Sequence, residues 1–172
     1  AIADTLAIPV AHQLHGLKNM RPLPGRGAIL AGKEGSVIID ESYNAQPEAM
    51  RASLELLAQL PAKRRVAVLG DMRELKHPDQ IPREIGSLAR KSADYVIGVG
   101  PLSRAYKADE WFATAIEAIP AALRQLEPGV IVLVKGSQNT IRLERLVKAI
   151  MRHPNQAEQL LVRQDKAWLK KK

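Results

Sequence analysis

Cysteine is absent from all 172 residues. That excludes a disulfide scaffold, a thiolate zinc site and a cysteine nucleophile, and it fits a reducing compartment. Aromatic residues make up only 3% of the chain, so Leu, Ile, Val and Ala must fill the interior. No apolar run approaches the roughly 18–20 residues needed to cross a bilayer. No basic-then-apolar leader opens the chain, and the expectation is a soluble, cytoplasmic protein without a membrane span. There is no G-x-x-x-x-G-K-S/T loop, and Gly98-Val99-Gly100 runs into Pro101 without a third glycine, so the chain carries no self-sufficient phosphate cradle. Its four histidines, at positions 12, 15, 77 and 153, are scattered. His12 and His15 share a helical face but have no carboxylate at ligand spacing, so no metal site is expected. No Gly-x-Ser-x-Gly elbow supports a Ser/His/Asp triad.

The net charge is +8. The basic residues are interleaved with acids and lack stacking aromatics, so nucleic acid is not the expected partner. Attraction for small anions such as nucleotides is the milder inference. Lys170-Lys171-Lys172 reads as a solvated tail.

The length suits one domain, or one domain plus a fragment. Residues 1–20 show helical apolar spacing without an N-terminal cap, as the tail of something longer would. Arg21–Gly27, with two prolines and two glycines, reads as an extended linker. Ala28–Leu30 and Val37–Ile39 flank Gly32–Gly35 as a hairpin. A helix is expected at about 47–60, with Pro47 as its first residue. Further strands are read at Arg65–Leu69, Tyr95–Gly100 and Val130–Val134, and 73–82 as a loop. Helices are read from about Ile85 to Ser92, at Leu102–Lys107, at Ala115–Leu126 and from Ile141 to Ile150. Leu160–Arg163 reads as an edge strand or a docking segment. Strands that are continuous apolar runs, alternating with helices, imply an α/β fold with a doubly wound, mostly parallel sheet and an N-terminal hairpin strand.

Ligands in such sheets bind beyond the carboxyl ends of strands. The polar elbow Asp40–Pro47 stands at one such end, with two carboxylates, a hydroxyl, a phenol and two amides. Gly70-Asp71-Met72 stands at another, where Asp71 could hold an amine or cap a following segment. Lys135-Gly136-Ser137 stands at a third, where Lys135 could meet an anion and Ser137 could receive one at a helix start or serve as an ordinary N-cap.

Taken together, Pro24-Gly25-Arg26, Ile39–Pro47, Val68–Leu75 and Val134–Ser137 resemble, in that order, the C-terminal domain of Mur ligases. The likeness is greatest to the MurF type, which adds D-alanyl-D-alanine, and it covers about residues 1–150. It implies a Rossmann-like domain (25–152), preceded by the last helix and linker of a central ATPase domain (1–24) and followed by a basic tail (153–172). It implies an ATP-dependent, amide-forming ligase of peptidoglycan synthesis. ATP phosphorylates the carboxylate of a UDP-MurNAc-tripeptide, and the amine of D-Ala-D-Ala attacks the acyl phosphate. ATP and Mg2+ belong to the full-length enzyme, and this domain alone binds neither. The partners implied are the N-terminal and central domains, the UDP-MurNAc-peptide and D-Ala-D-Ala. Carried over by position, Arg26, Glu41, Tyr43 and Asn44 would face ATP. Asp71, Lys135 and Ser137 would face the acceptor. No residue here is assigned as catalytic. Two positions depart from the MurF-type pattern: Gln46, where Asn is usual, and Pro82-Arg83, where His-Arg is common. A sister ligase with another acceptor usually shows an Asp-Tyr-Ala-His elbow, and folylpolyglutamate synthases are less similar there. The alternative of another class is a free-standing α/β module that binds a nucleotide or peptide.

Overall fold

A computed structural model describes residues 2–20, 22–73, 75–137 and 141–170. Glu74 of the Val68–Leu75 stretch, and Lys171 and Lys172 of the terminal lysines, lie outside the described residues. The elements are α1 (Ile2–Thr5), α2 (Val10–Asn19), β1 (Ala28–Ala31), β2 (Val37–Glu41), α3 (Pro47–Gln59), β3 (Arg64–Gly70), α4 (Ile81–Ser92), β4 (Tyr95–Val99), β5 (Glu110–Phe112), α5 (Ala115–Arg124), β6 (Val130–Lys135), α6 (Glu144–Ile150), α7 (Ala157–Leu160) and α8 (Lys166–Leu169).

The strands form one six-stranded sheet in the order β1-β2-β6-β3-β4-β5. Only β1 runs antiparallel, paired to β2 as the hairpin the sequence predicts. The other neighbours are parallel. Parallel neighbours need crossovers, and α3, α4 and α5 supply three of them. Met50, Leu54 and Leu57 of α3 pack with Ile85 and Ala89 of α4 on one face. Ala118, Ala121 and Ala122 of α5 pack with Leu146, Val147 and Ile150 of α6 on the other. Both faces are therefore covered. That is why Val66–Leu69 and Val132–Val134 are almost wholly buried and need no polar alternation.

The last strand in sequence, β6, lies between β2 and β3. The chain leaves β2 and β3 toward the face of α3 and α4, and leaves β6 toward the face of α6. The strand ends around β6 are thus a topological switch point, where such sheets open a crevice. There the ends of β6 and β3 approach closely: a Cβ on either Gly70 or Gly136 would lie 3.1 Å from the other's Cα. A side chain at either would press the two strand ends apart; one glycine stands in each of the Gly-Asp and Lys-Gly-Ser motifs.

Several local expectations are corrected. Residues 2–20 do not form one helix, because Ala7 takes a left-handed φ of 53° and Pro9 precedes α2. Its apolar residues Val10, Leu14 and Leu17 stand exposed. A short strand, β5, stands at Glu110–Phe112, where no strand is predicted. Its three residues follow a polar stretch and are too few to show a period. The helix expected from Ile141 starts at Glu144, because Arg142 takes a φ of 55°. Leu160–Arg163 is not an edge strand: Leu160 closes α7 and Arg163 turns with φ 58°. It is a docking segment. Residues 153–170, set apart by sequence as a tail, pack on the domain, with Ala157 and Leu161 in the core.

Candidate functional site

The elbow after β2 is built by parallel pairing. The register places Glu41 opposite Lys135, and their side chains close a 2.6 Å ion pair across the two strand ends. The same Glu41 Oε2 accepts the Ser53 hydroxyl of α3 at 2.5 Å. Lys135 also donates to the Asn44 carbonyl at 3.3 Å. Its side chain is only 5% exposed and that of Glu41 19%, so the pair is mostly shielded from screening.

Tyr43 is held from two sides. Its N–H donates to the Gly25 carbonyl at 3.1 Å. Gly25 has φ 68°, and a Cβ there would crowd the Tyr43 backbone and Val162, so the incoming linker can dock only as glycine. The guanidinium of the exposed Arg26 lies over the Tyr43 ring, 4.1 Å from its centroid, a cation–π contact. Arg26, Glu41, Tyr43 and Asn44 thus line one hollow of about 310 Å³, together with Lys135 and Gln46. The structure brings together the four residues expected on the ATP side and adds Lys135 to them.

A second cleft, of about 690 Å³, adjoins it. Asn44 and Gln46 line both hollows. The second is completed by Ser137 and by Arg73, Lys76 and His77 of the loop before α4. Of the three residues expected toward the acceptor, Ser137 alone lines this cleft. The residues that follow Ser137, 138–140, lie outside the described residues, and α6 starts at Glu144; the Ser137 N–H donates to the Asp71 carbonyl at 2.9 Å.

Asp71 lines neither hollow. It is wholly buried, and its Oδ1 accepts the Ser103 N–H at 2.9 Å. It therefore caps the 3-10 turn Leu102–Tyr106, far along the chain rather than next to it. Burial raises its pKa above the usual carboxylate value. The backbone donors of Ser103 and Leu102 and the charge of Arg73 pull it back. Tyr106 donates its hydroxyl to the Gly70 carbonyl at 2.9 Å, and burial, then the charge of Asp71, raises its pKa.

Asp40, just below the elbow, is also wholly buried. Its Oδ1 accepts the Ser42 N–H at 3.0 Å, while Oδ2 has no direct partner. Burial pushes its pKa up and the charge of Glu144 adds to that. Hydrogen bonding from Ser42 and Gly25 opposes them.

Sequence reasoning missed Ser53, which anchors Glu41. It also missed Arg163, whose Nη2 donates to the Tyr43 carbonyl at 3.1 Å. The one available signal for Arg163 is a lone charge closing the apolar run Leu160–Val162. Arg73, Lys76 and His77 were given no role by sequence: Arg73 lies within the Val68–Leu75 stretch, and Lys76 and His77 lie in residues read only as a loop. Among the described residues, no group of three or more His, Asp or Glu residues could hold a metal ion. No helix among them is long and apolar enough to cross a membrane.

Residues 25–138 match the Mur ligase, glutamate ligase domain family. The chain is 33% identical over 143 residues to a UDP-N-acetylmuramoyl-tripeptide–D-alanyl-D-alanine ligase of Escherichia coli, covering 78% of this chain and 31% of that protein. It is 32% identical over 158 residues to the ligase of the same name from Treponema pallidum, covering 85% and 34%. Among solved structures it is similar to a MurF ligase from Thermotoga maritima in complex with ADP, with a TM-score of 0.76 and 26% identity over 92% of this chain and 36% of that one. The chain thus spans about a third of the length of the relatives it matches.

Proposed function

The chain belongs to the Mur ligase family, and from that premise we propose that it is the C-terminal, acceptor-binding domain of an ATP-dependent ligase. That ligase adds D-Ala-D-Ala to UDP-MurNAc-tripeptide in peptidoglycan synthesis, in the cytoplasm. The observation that carries the reading is the pair of adjoining hollows at the switch point, one lined by Arg26, Glu41, Tyr43 and Asn44 and the other by Ser137 and loop cations. A nucleotide-side hollow and an acceptor-side cleft that share Asn44 and Gln46 suit a reaction in which an amine meets a carboxyl activated by ATP.

In this reading the tripeptide carboxylate takes the γ-phosphoryl of ATP, and ADP leaves. The amine of D-Ala-D-Ala attacks the acyl carbon, and the tetrahedral intermediate collapses to amide and phosphate. Arg26 suits phosphate oxygens, because its guanidinium is a planar fork already oriented by Tyr43. Glu41 suits ribose hydroxyls through Oε1, since Oε2 is occupied by Lys135 and Ser53. Lys135 then acts on the nucleotide side, as the group that orients Glu41. Arg73 and Lys76 carry the charge that an acceptor carboxylate needs, beside the His77 ring. Closing this domain on the rest of the protein would exclude water from the acyl phosphate. Residues 1–24, with exposed Val10, Leu14 and Leu17, form the seam with the preceding ATPase domain. Mg2+ would accompany ATP in the full-length enzyme.

The test is amide formation by the complete protein against a panel of acceptors. D-Ala-D-Ala should be used above single amino acids, with ADP released in equal amount. Preference for a diamino acid would move the chain to a sister ligase. The isolated 172-residue chain should hydrolyse no ATP; robust turnover by it would sink the domain reading.

A further inference from the structure

We propose that Arg163 is a positioning residue for the nucleotide side of the site, and that the segment around it is a strap holding the Ser42–Tyr43 elbow. This rests on the reading above that Arg26, Glu41 and Tyr43 meet a nucleotide.

Beyond Glu41 the chain leaves the β2–β6 ladder, so the next carbonyls lose their sheet partners. Buried carbonyls need donors. Arg163 supplies them: Nη2 reaches the Tyr43 carbonyl at 3.1 Å and Nη1 the Ser42 carbonyl at 3.5 Å. The Arg163 side chain is 6% exposed, so the bonds are shielded from water. Its charge is matched by Glu144, itself 1% exposed, at 3.4 Å. Glu144 also pairs with Arg142 at 3.2 Å. The Arg163 guanidinium sits 5.5 Å from the centroids of both Tyr43 and Trp168.

Two features separate this from ordinary packing. Arg163 takes φ 58°, a left-handed conformation that a non-glycine residue rarely adopts. The neighbouring Val162 side chain closes over Gly25, the residue whose carbonyl holds the Tyr43 N–H. The strap therefore grips the peptide units on both sides of Tyr43, whose ring carries Arg26. Arg163 acts through others: it sets the orientation of the Tyr43 ring and the Arg26 guanidinium that face the nucleotide.

The experiment uses the complete ligase with Arg163→Gln and Arg163→Lys, and Arg152→Gln as an exposed control. ADP affinity is read by calorimetry, with KM for ATP and for D-Ala-D-Ala measured in parallel and Tm as a check on folding. Arg163→Gln should weaken ADP binding and raise the ATP KM about tenfold, the effect of losing a charge-assisted hydrogen bond. The acceptor KM should stay within about twofold. Arg163→Lys keeps charge but not the fork, so it should restore Tm and recover ADP affinity only in part. Unchanged ADP affinity in a folded Arg163→Gln protein would overturn the proposal, and so would equal losses for ADP and acceptor that merely track Tm. If Arg163→Gln does not fold, Arg163→Lys decides: ADP affinity equal to wild type overturns the proposal. A wild-type protein that binds ADP but joins no acceptor would refute the ligase reading and leave the strap to be judged on ADP alone. A wild-type protein that does not bind ADP would refute both.

Discussion

Two acids stand at the ends of buried strands, Glu41 closing β2 and Asp71 just after β3, and they end in different situations. Glu41 pairs with a lysine from the neighbouring strand and lines a hollow. Asp71 is wholly buried and spends one oxygen on the Ser103 N–H. The β2–β6 end keeps its polar groups at an opening, whereas the β3–β4 end consumes them in tying down a 3-10 turn. An acid at the end of a strand is therefore not by itself a ligand group. What decides is whether the acid is held at an opening, because Asp71 too keeps one oxygen without a hydrogen-bond partner but has it buried.

Substitutions can break or sharpen that contrast. The largest effect is expected for Lys135→Met, which strands the Glu41 charge in a mostly buried place. It should cost about 3–5 kcal/mol of stability and lower ATP affinity in the complete enzyme, read by urea unfolding and by nucleotide titration. An effect confined to the acceptor KM would move Lys135 to the other cleft. Asp71→Ala should cost about 1–3 kcal/mol, the loss of a buried hydrogen-bonded cap. The KM values for ATP and acceptor should keep their ratio, and a rise in the acceptor KM alone would make Asp71 a ligand after all.

Asp40→Asn should act in the opposite direction. Burial raises the Asp40 pKa above its ordinary 3.8, so the folded state holds that proton more tightly than the unfolded one. The resulting stability is fully present below about pH 3.8 and is lost as pH rises through the folded-state pKa. At pH 7 the ionised group is a cost, and Asn should raise Tm by about 2–4 °C. The gain should vanish toward pH 3; a gain independent of pH would assign it to packing. Arg26→Ala should change stability least, within about 0.5 kcal/mol for an exposed side chain. It should still raise the ATP KM several-fold, and unchanged kinetics would remove Arg26 from the site.

Some of this was legible in residue order and some was not. Val66–Leu69, Tyr95–Val99 and Val130–Val134 are apolar over whole strands, and Pro47 marks its helix start without ambiguity. The three-residue β5 carries no period to detect. The insertion of β6 between β2 and β3 leaves no local trace either, because both of its faces are buried wherever it stands. The elbow residues were legible by their motif. The Glu41–Lys135 bond joins residues 94 apart, and the Arg163 bond to Tyr43 joins residues 120 apart. Arg142, Glu144 and Arg163 look like solvated charges in sequence. Only the fold shows that Glu144 pairs with both arginines in the interior, and that both arginines stand at left-handed turns.

The place of β6 also sets an order of events during synthesis. A ribosome releases β2 and β3 long before the strand that must separate them, so early in the life of the chain each exposes an unpaired edge. The two strands can meet only wrongly, or wait. Non-local pairing of this kind is slow and prone to aggregation. The elbow, whose last tether is Arg163, can become rigid only after the centre of the sheet is complete.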